Sequence, residues 1–306
     1  MGPHEKSNQK IHDGARSILD RGLTEKCNFV LVGTSDVIED LRNHPQFQES
    51  ENLHLIATKY PSKNILQSLF SNNRSQQDNN QNPIKLELHA CIRGSLSSSN
   101  FLKILRSYSN NKPPEKLKQN KVNISKTIQF EDMGEKTFRL ALLETAKGRQ
   151  FFYAPVGIDE TSSWEDRKAL LENTIQFFKK IGLYAKVSLL SGGREGDKGR
   201  DPKIDENITT VERLRDQLSK DYPNIQIKHH YILIEKAMKS DSNIIIAPEG
   251  ISGNLIYRTL VHLGNGRAYG AVYLNLFNSQ NKVIIDTSRA AEQSEYEGAM
   301  KLALYL

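Results

Sequence analysis

Near the C-terminus, Asp286-Thr-Ser-Arg-Ala-Ala-Glu-Gln-Ser-Glu295 joins a β-branched run to a helix-length stretch, which puts Ser288 and Arg289 just past a strand's carboxyl end. A hydroxyl beside a guanidinium suits an oxyanion or a phosphate, because both donate to developing negative charge. Glu295 follows Ser288 by seven residues. Seven steps of about 100° return within about 20° of the start, so a helix carrying both would place them on one face and make Glu295 the candidate acid–base group. Glu292 is a rival that the spacing leaves open, and a plain helix cap at Ser288 with a surface carboxylate at 295 is the structural alternative.

Other strand-to-helix junctions offer ligand groups. Ser191-Gly-Gly-Arg-Glu-Gly-Asp-Lys-Gly-Arg200 has glycines and cations where backbone N–H groups and a helix dipole attract anions, so Ser191, Gly192, Gly193, Arg194, Gly196, Lys198 and Arg200 are candidates for a phosphate-like group. It has neither the Walker A spacing nor a dinucleotide fingerprint, and a flexible polar loop is its structural alternative. In Pro248-Glu-Gly-Ile-Ser-Gly-Asn-Leu-Ile-Tyr-Arg258, Gly253, Asn254 and Tyr257 are candidates, against a simple cap at Ser252 or Asn254. Arg93, Gly94, Ser95 and Ser98 follow another strand. His229 and His230 are adjacent on a predicted strand, point to opposite faces and cannot share one ion, so no metal is expected.

These junctions need a scaffold, and the chain supplies it by alternating β-branched runs with amphipathic stretches, the order that produces parallel sheets flanked by helices. Strands are predicted at 28–32, 53–58, 85–91, 137–144, 150–155, 185–190, 225–228, 243–247, 268–274 and 282–286. Helices are predicted at 10–21, 101–108, 162–182, 204–218, 253–263 and 291–304. The long one opens at a Ser with an acid three residues on and closes at Gly182. Polar stretches 71–82 and 109–120 read as surface insertions without chemistry. At roughly 150 residues per domain, 306 residues make an α/β protein of two domains. The expected division is 1–155 with 277–306, and 156–276.

Composition narrows the partners. Lys+Arg 42 against Asp+Glu 36 gives +6, with the cations scattered rather than interleaved with aromatics. This favours a small anionic substrate over nucleic acid. Cys27 and Cys91 cannot build a disulfide framework or a Cys-rich zinc site. No uncharged apolar run of about 18 residues occurs, and the charged first thirty residues do not read as a secretory leader. A cytoplasmic protein off the membrane is expected, with a homodimer allowed.

Taken together, Asn243–Arg258, Ala268-Tyr-Gly-Ala271 and Asp286-Thr-Ser-Arg289 resemble the phosphate acetyl/butyryltransferase family, and Val187–Ser191 with its glycine loop is similar to that family's serine loop. The resemblance covers 162–306. More closely, Ile92-Arg-Gly-Ser-Leu-Ser-Ser-Ser and Leu190–Arg200 resemble the archaeal methyltransferase subunit MtxX branch, a methanogen marker family. The resemblance implies a phosphotransacetylase or isopropylmalate-dehydrogenase-like fold, with parallel or mixed sheets around a cleft and the first domain completed by the C-terminal helix. It also implies acyl thioester and phosphate as substrates, coenzyme A or a related thiol as carrier, and no tightly bound cofactor. Ser288 and Arg289 match the family's serine and arginine at the reacting carbonyl and phosphate, while Glu295 stands where the family has a catalytic aspartate. An acyltransferase-like transferase, a methyltransferase or its associated subunit, and a non-catalytic ligand-binding protein of the same fold are the three readings.

Overall fold

The computed structural model describes residues 3–20, 28–43, 52–70, 84, 88–109, 136–288 and 291–306. In chain order the elements are α1 (Pro3–Asp20), β1 (Phe29–Gly33), α2 (Ser35–Arg42), β2 (Leu53–Ala57), α3 (Pro61–Phe70), β3 (Ala90–Arg93) and α4 (Ser98–Ser109). They continue with β4 (Arg139–Glu144), β5 (Gln150–Ala154), α5 (Trp164–Lys180), β6 (Lys186–Leu189), α6 (Pro202–Asp221), β7 (Gln226–His229), α7 (Ile234–Lys239) and β8 (Ile244–Ile246). The last are α8 (Gly250–Arg258), β9 (Arg267–Tyr273), α9 (Leu274–Gln280), β10 (Val283–Asp286) and α10 (Gln293–Tyr305). Two compact units result, Met1–Thr137 with Lys282–Tyr305, and Phe138–Asn281 with Leu306.

In the first unit, β1 and β2 run parallel, as do β3 and β10, with Asp286 opposite Arg93. Helix α1 lies on α10, where Ala15, Tyr296 and Met300 form a buried cluster joined by Ile11 and Ile92. Strand β3 is displaced from its predicted span. It ends at Arg93, so Arg93 belongs to the strand and not to the loop after it. The insertion 71–82 lies outside the described residues, as does 109–120 apart from Ser109, which ends α4.

The second unit carries strands in the order β9-β4-β5-β8-β6-β7. Strand β4 pairs antiparallel with β5 and β9, whereas β5, β8, β6 and β7 form a parallel block. Strand β8 is Ile244-Ile-Ile246, fully buried, which suits a parallel strand covered on both faces. Alternation along β5 divides the core. Phe152 packs on Phe177 and Phe178 of α5 at 5.7 and 5.0 Å between ring centroids. Phe151 and Tyr153 join Leu190, Ile245 and Ala247 in a separate cluster. The hairpin of β4 and β5, grouped with the first domain by the sequence reading, pairs within this second unit because its partners are β9 and β8.

Helix α5 begins as its sequence dictates. Ser163 accepts the Asp166 N–H at 3.1 Å, and Asp166 accepts the Ser163 N–H at 3.0 Å, so Ser163 is the cap. Past its other end, Gly182 adopts φ 72, a left-handed conformation open to glycine.

Candidate active-site junctions

In the first unit, the ends of β3 and β10 are bound together by one side chain. Arg93, 4% exposed, gives its Nε–H to Asp286 and an Nη2–H to the Thr287 carbonyl, and its Nη1 donates to the Leu96 and Gly94 carbonyls at 2.5 and 3.3 Å. The Thr287 hydroxyl returns a bond to the Arg93 carbonyl at 2.6 Å. Arg93, expected to meet substrate, therefore holds the junction: its donors are committed to the protein. Gly94 is pressed by Ile11 of α1, leaving little room for a side chain there. Ser95 and Ser98 are half-buried on the same loop and the first turn of α4.

Ser288 follows this clamp, half-buried. The helical-face argument does not describe its relation to Glu295, because α10 starts only at Gln293 and Ser288 lies ahead of it. The two residues still meet. The chain turns at Ser288, whose carbonyl accepts the Ala291 N–H at 3.1 Å, and Glu295 Oε1 accepts the Ser288 backbone N–H at 2.9 Å. Glu295 is 4% exposed. The rival Glu292 points away, its side chain 73% exposed and paired with Lys10 at 2.7 Å. Arg289 lies outside the described residues.

In the second unit the glycine loop is braced from within. Asn207 Oδ1 takes the Gly192 N–H at 2.8 Å, Asp197 takes the Arg194 N–H at 2.8 Å, and Asp205 takes the Gly199 N–H at 2.8 and 3.0 Å. Arg200 pairs with Asp197 at 2.6 Å, Lys198 with Glu212 at 2.8 Å, and Asp201 caps α6. The chain's own carboxylates thus occupy amides and cations that the sequence reading offered to an anion. These bonds hold Asp197 below the usual carboxylate range and Lys198 above its usual value. Gly193 is buried against Ile204 and Ile208, whereas Arg194 and Gly196 stay exposed.

Buried Ser191 faces His229, with Oγ and Nε2 2.9 Å apart, and the imidazole lies 4.1 Å from the Tyr231 ring centroid. Burial, the largest influence, pushes His229 down from 6.5 to about 4, with Arg215, His230 and Lys198 adding to it against Glu212. An unfolded His takes a proton as pH falls through about 6.5, but the folded one takes it only near 4. The unfolded state then binds more protons, so this contribution to stability is lost as pH falls across that window. His229→Gln should flatten the decline, read by urea unfolding at stepped pH. An equally steep decline in the variant would place the titration elsewhere.

The α8 junction is also organised differently from its sequence reading. The cap is Glu249, which accepts the Ile251 and Ser252 N–H groups at 2.7 and 2.8 Å. Burial raises the Glu249 pKa, but those bonds and Arg167 outweigh it and leave the carboxylate below its usual range. Gly253, expected to bring the backbone to a ligand, instead brings it to the protein: a Cβ there would run into the Pro155 carbonyl, and one at Gly250 into that of Gly157. Asn254 donates to the Val156 carbonyl at 2.8 Å, and Tyr257 packs against the Tyr153 cluster. Among the described residues, no group of His, Cys, Asp and Glu is arranged to hold a metal, and no helix is long and apolar enough to cross a membrane.

No family model matches the sequence. Relatives do. The "Putative methyltransferase mtx subunit X" of Methanosarcina mazei is 44% identical over 151 residues, 49% of this chain and 51% of that protein. An "Uncharacterized methyltransferase" of Methanocaldococcus jannaschii is 35% identical over 224 residues, 71% of this chain and 79% of that protein. The chain belongs to the MtxX family. It spans about half the length of the Methanosarcina mazei relative. Among solved structures, a branched-chain phosphotransacylase from Enterococcus faecalis has a TM-score of 0.62 at 14% identity, covering 98% of this chain and 96% of that one. The EutD phosphotransacetylase from Staphylococcus aureus has a TM-score of 0.54, also at 14%, covering 98% and 93%. This MtxX chain therefore has a phosphotransacetylase-like α/β fold.

Proposed function

We propose that this MtxX chain is a phosphate acyltransferase-like transferase whose reaction takes place at Ser288 and Arg289. The observation that carries this reading is the fixed backbone at Ser288, with its N–H on Glu295 and the preceding residues clamped by Arg93. A serine whose backbone is fixed just past a strand end, followed in sequence by a guanidinium, is suited to holding charge that develops on a carbonyl oxygen. In the synthetic direction a phosphate oxygen attacks the thioester carbonyl carbon, the new C–O bond forms as C–S breaks, and the thiolate leaves. In reverse a thiol gives its proton to Glu295 and attacks the carbonyl carbon of the acyl phosphate, the new C–S bond forming as the C–O bond breaks and phosphate leaves. Coenzyme A or a related thiol fits as carrier, and phosphate as the small anionic partner.

The names of the relatives favour a second reading, a methyltransferase or a subunit that serves one. Against a self-sufficient S-adenosylmethionine enzyme, β1 ends with the lone glycine of Val32-Gly33-Thr34 rather than a glycine-rich loop. Acyl-phosphate formation from a panel of acetyl, butyryl and branched acyl thioesters, run beside thermal shifts with coenzyme A, acyl phosphates and S-adenosylmethionine, separates the readings. Turnover with any thioester is the expected result. A shift with S-adenosylmethionine and no turnover would overturn it in favour of methyl transfer, and binding of acyl ligands without turnover would leave a ligand-binding protein.

A further inference from the structure

Buried polar groups almost always find a hydrogen-bond partner, because leaving one unmade in a dry interior forfeits its hydration. Around the N-terminus of α8, three side-chain atoms have none among the described residues: the Tyr153 hydroxyl, the Thr161 hydroxyl and Nη1 of Arg167. Tyr153 is 0% and Thr161 2% exposed. Their grouping follows from the backbone. The Gly157 and Glu160 carbonyls press on Gly250, so Thr161 comes to the start of α8, and it does so at φ 57, a conformation a β-branched residue rarely adopts. Tyr153 packs in one cluster with Ala247 and with Ile256 and Tyr257 of α8, and Arg167 lies near the start of α5, six residues after Thr161.

Glu249 is the obvious partner for Arg167, yet its carboxylate is turned onto the Ile251 and Ser252 N–H groups and makes no bond to Arg167 Nη1. The three remaining groups can all donate, and a guanidinium can do nothing else. What they need is an acceptor oxygen. Its charge is limited by the surroundings, since the Glu249 carboxylate already stands at this helix start. A carboxylate or phosphate would meet that negative charge, whereas an uncharged oxygen meets the donors without the repulsion.

We propose that Tyr153, Thr161 and Arg167 form a binding site for a neutral carbonyl oxygen of the amide class at the N-terminus of α8. The site lies wholly within the second unit and does not depend on acyl transfer at Ser288. Nuclear magnetic resonance of the ¹⁵N-labelled full chain, titrated with N-methylacetamide, acetate or inorganic phosphate, tests it. N-methylacetamide should give saturable shifts at the Thr161, Arg167 and Ile251 amides, and bind more tightly than either anion. Tyr153→Phe should raise its dissociation constant about two- to tenfold, the range of one net hydrogen bond. The same change should leave Tm of the ligand-free protein level or higher, because it deletes a hydroxyl that has no partner. Arg167→Gln, on a half-buried side chain, gives a second measure of the contact if Tyr153→Phe fails to fold. The proposal is overturned by an absence of saturable shifts, by acetate or phosphate binding more tightly, or by a fall in Tm for Tyr153→Phe, which would mean the hydroxyl is bonded within the protein.

Discussion

Glu295→Gln should lower acyl-phosphate formation by about 10²–10⁴-fold while the first unit stays folded, the range a positioned acid–base group contributes. The geometry makes this substitution unusually clean. Glu295 Oε1 accepts the Ser288 N–H, and the Gln side-chain oxygen can accept the same bond, so the backbone at Ser288 keeps its support while the proton acceptor is lost. Glu295→Ala removes both and should lower Tm as well as turnover. Glu292→Gln is the control, because that carboxylate is exposed and paired with Lys10. If Glu295→Gln keeps most of its activity and only Glu295→Ala fails, the carboxylate is a brace and not a base. Steady-state kinetics decides where the loss falls: a lower kcat at unchanged KM marks an interaction made only in the transition state.

The Ser288 and Glu295 pair was legible in the sequence, though for a reason the fold replaces. Spacing predicted a shared helical face, but the contact is a bond from a backbone N–H ahead of the helix to a side chain inside it. The strand-to-helix alternation was legible for a simpler reason: apolar periodicity marks the long elements, and Ser163-Trp-Glu-Asp166 carries its own cap. Helices α2, α3, α7 and α9 are not among the predicted ones, and α2, α7 and α9, of six to eight residues, give too few turns for a period to show. The internal bracing of the glycine loop is not legible, because Asp205 and Glu212 lie outside the loop and only folding turns them, with Asp197, onto its amides and lysine. The Arg93 clamp is not legible either, because its partners Asp286 and Thr287 lie 193 and 194 residues away. No local pattern announces a contact of that separation.

Arg93→Met should therefore act on stability first. It strands the Asp286 carboxylate, side chain 9% exposed, without its cation, and removes the donors to the Thr287 and Leu96 carbonyls. Breaking one half of a buried ion pair costs about 3–5 kcal/mol, because the remaining charge keeps its desolvation penalty. Urea unfolding should show a loss of that size, and one under about 1 kcal/mol would mean the guanidinium does not hold the junction. The double variant Arg93→Met with Asp286→Leu makes the sharper comparison. Replacing a buried pair by apolar side chains of similar volume is often close to neutral, so much of the lost stability should return. Activity should not return with it. The pair fixes the direction in which the chain leaves β10, one residue before Thr287 and two before Ser288, and apolar packing restores burial without restoring those directional bonds. A stable double variant with low turnover would place the function of Arg93 in orienting the Ser288 backbone, whereas recovery of both together would reduce the clamp to a matter of stability alone.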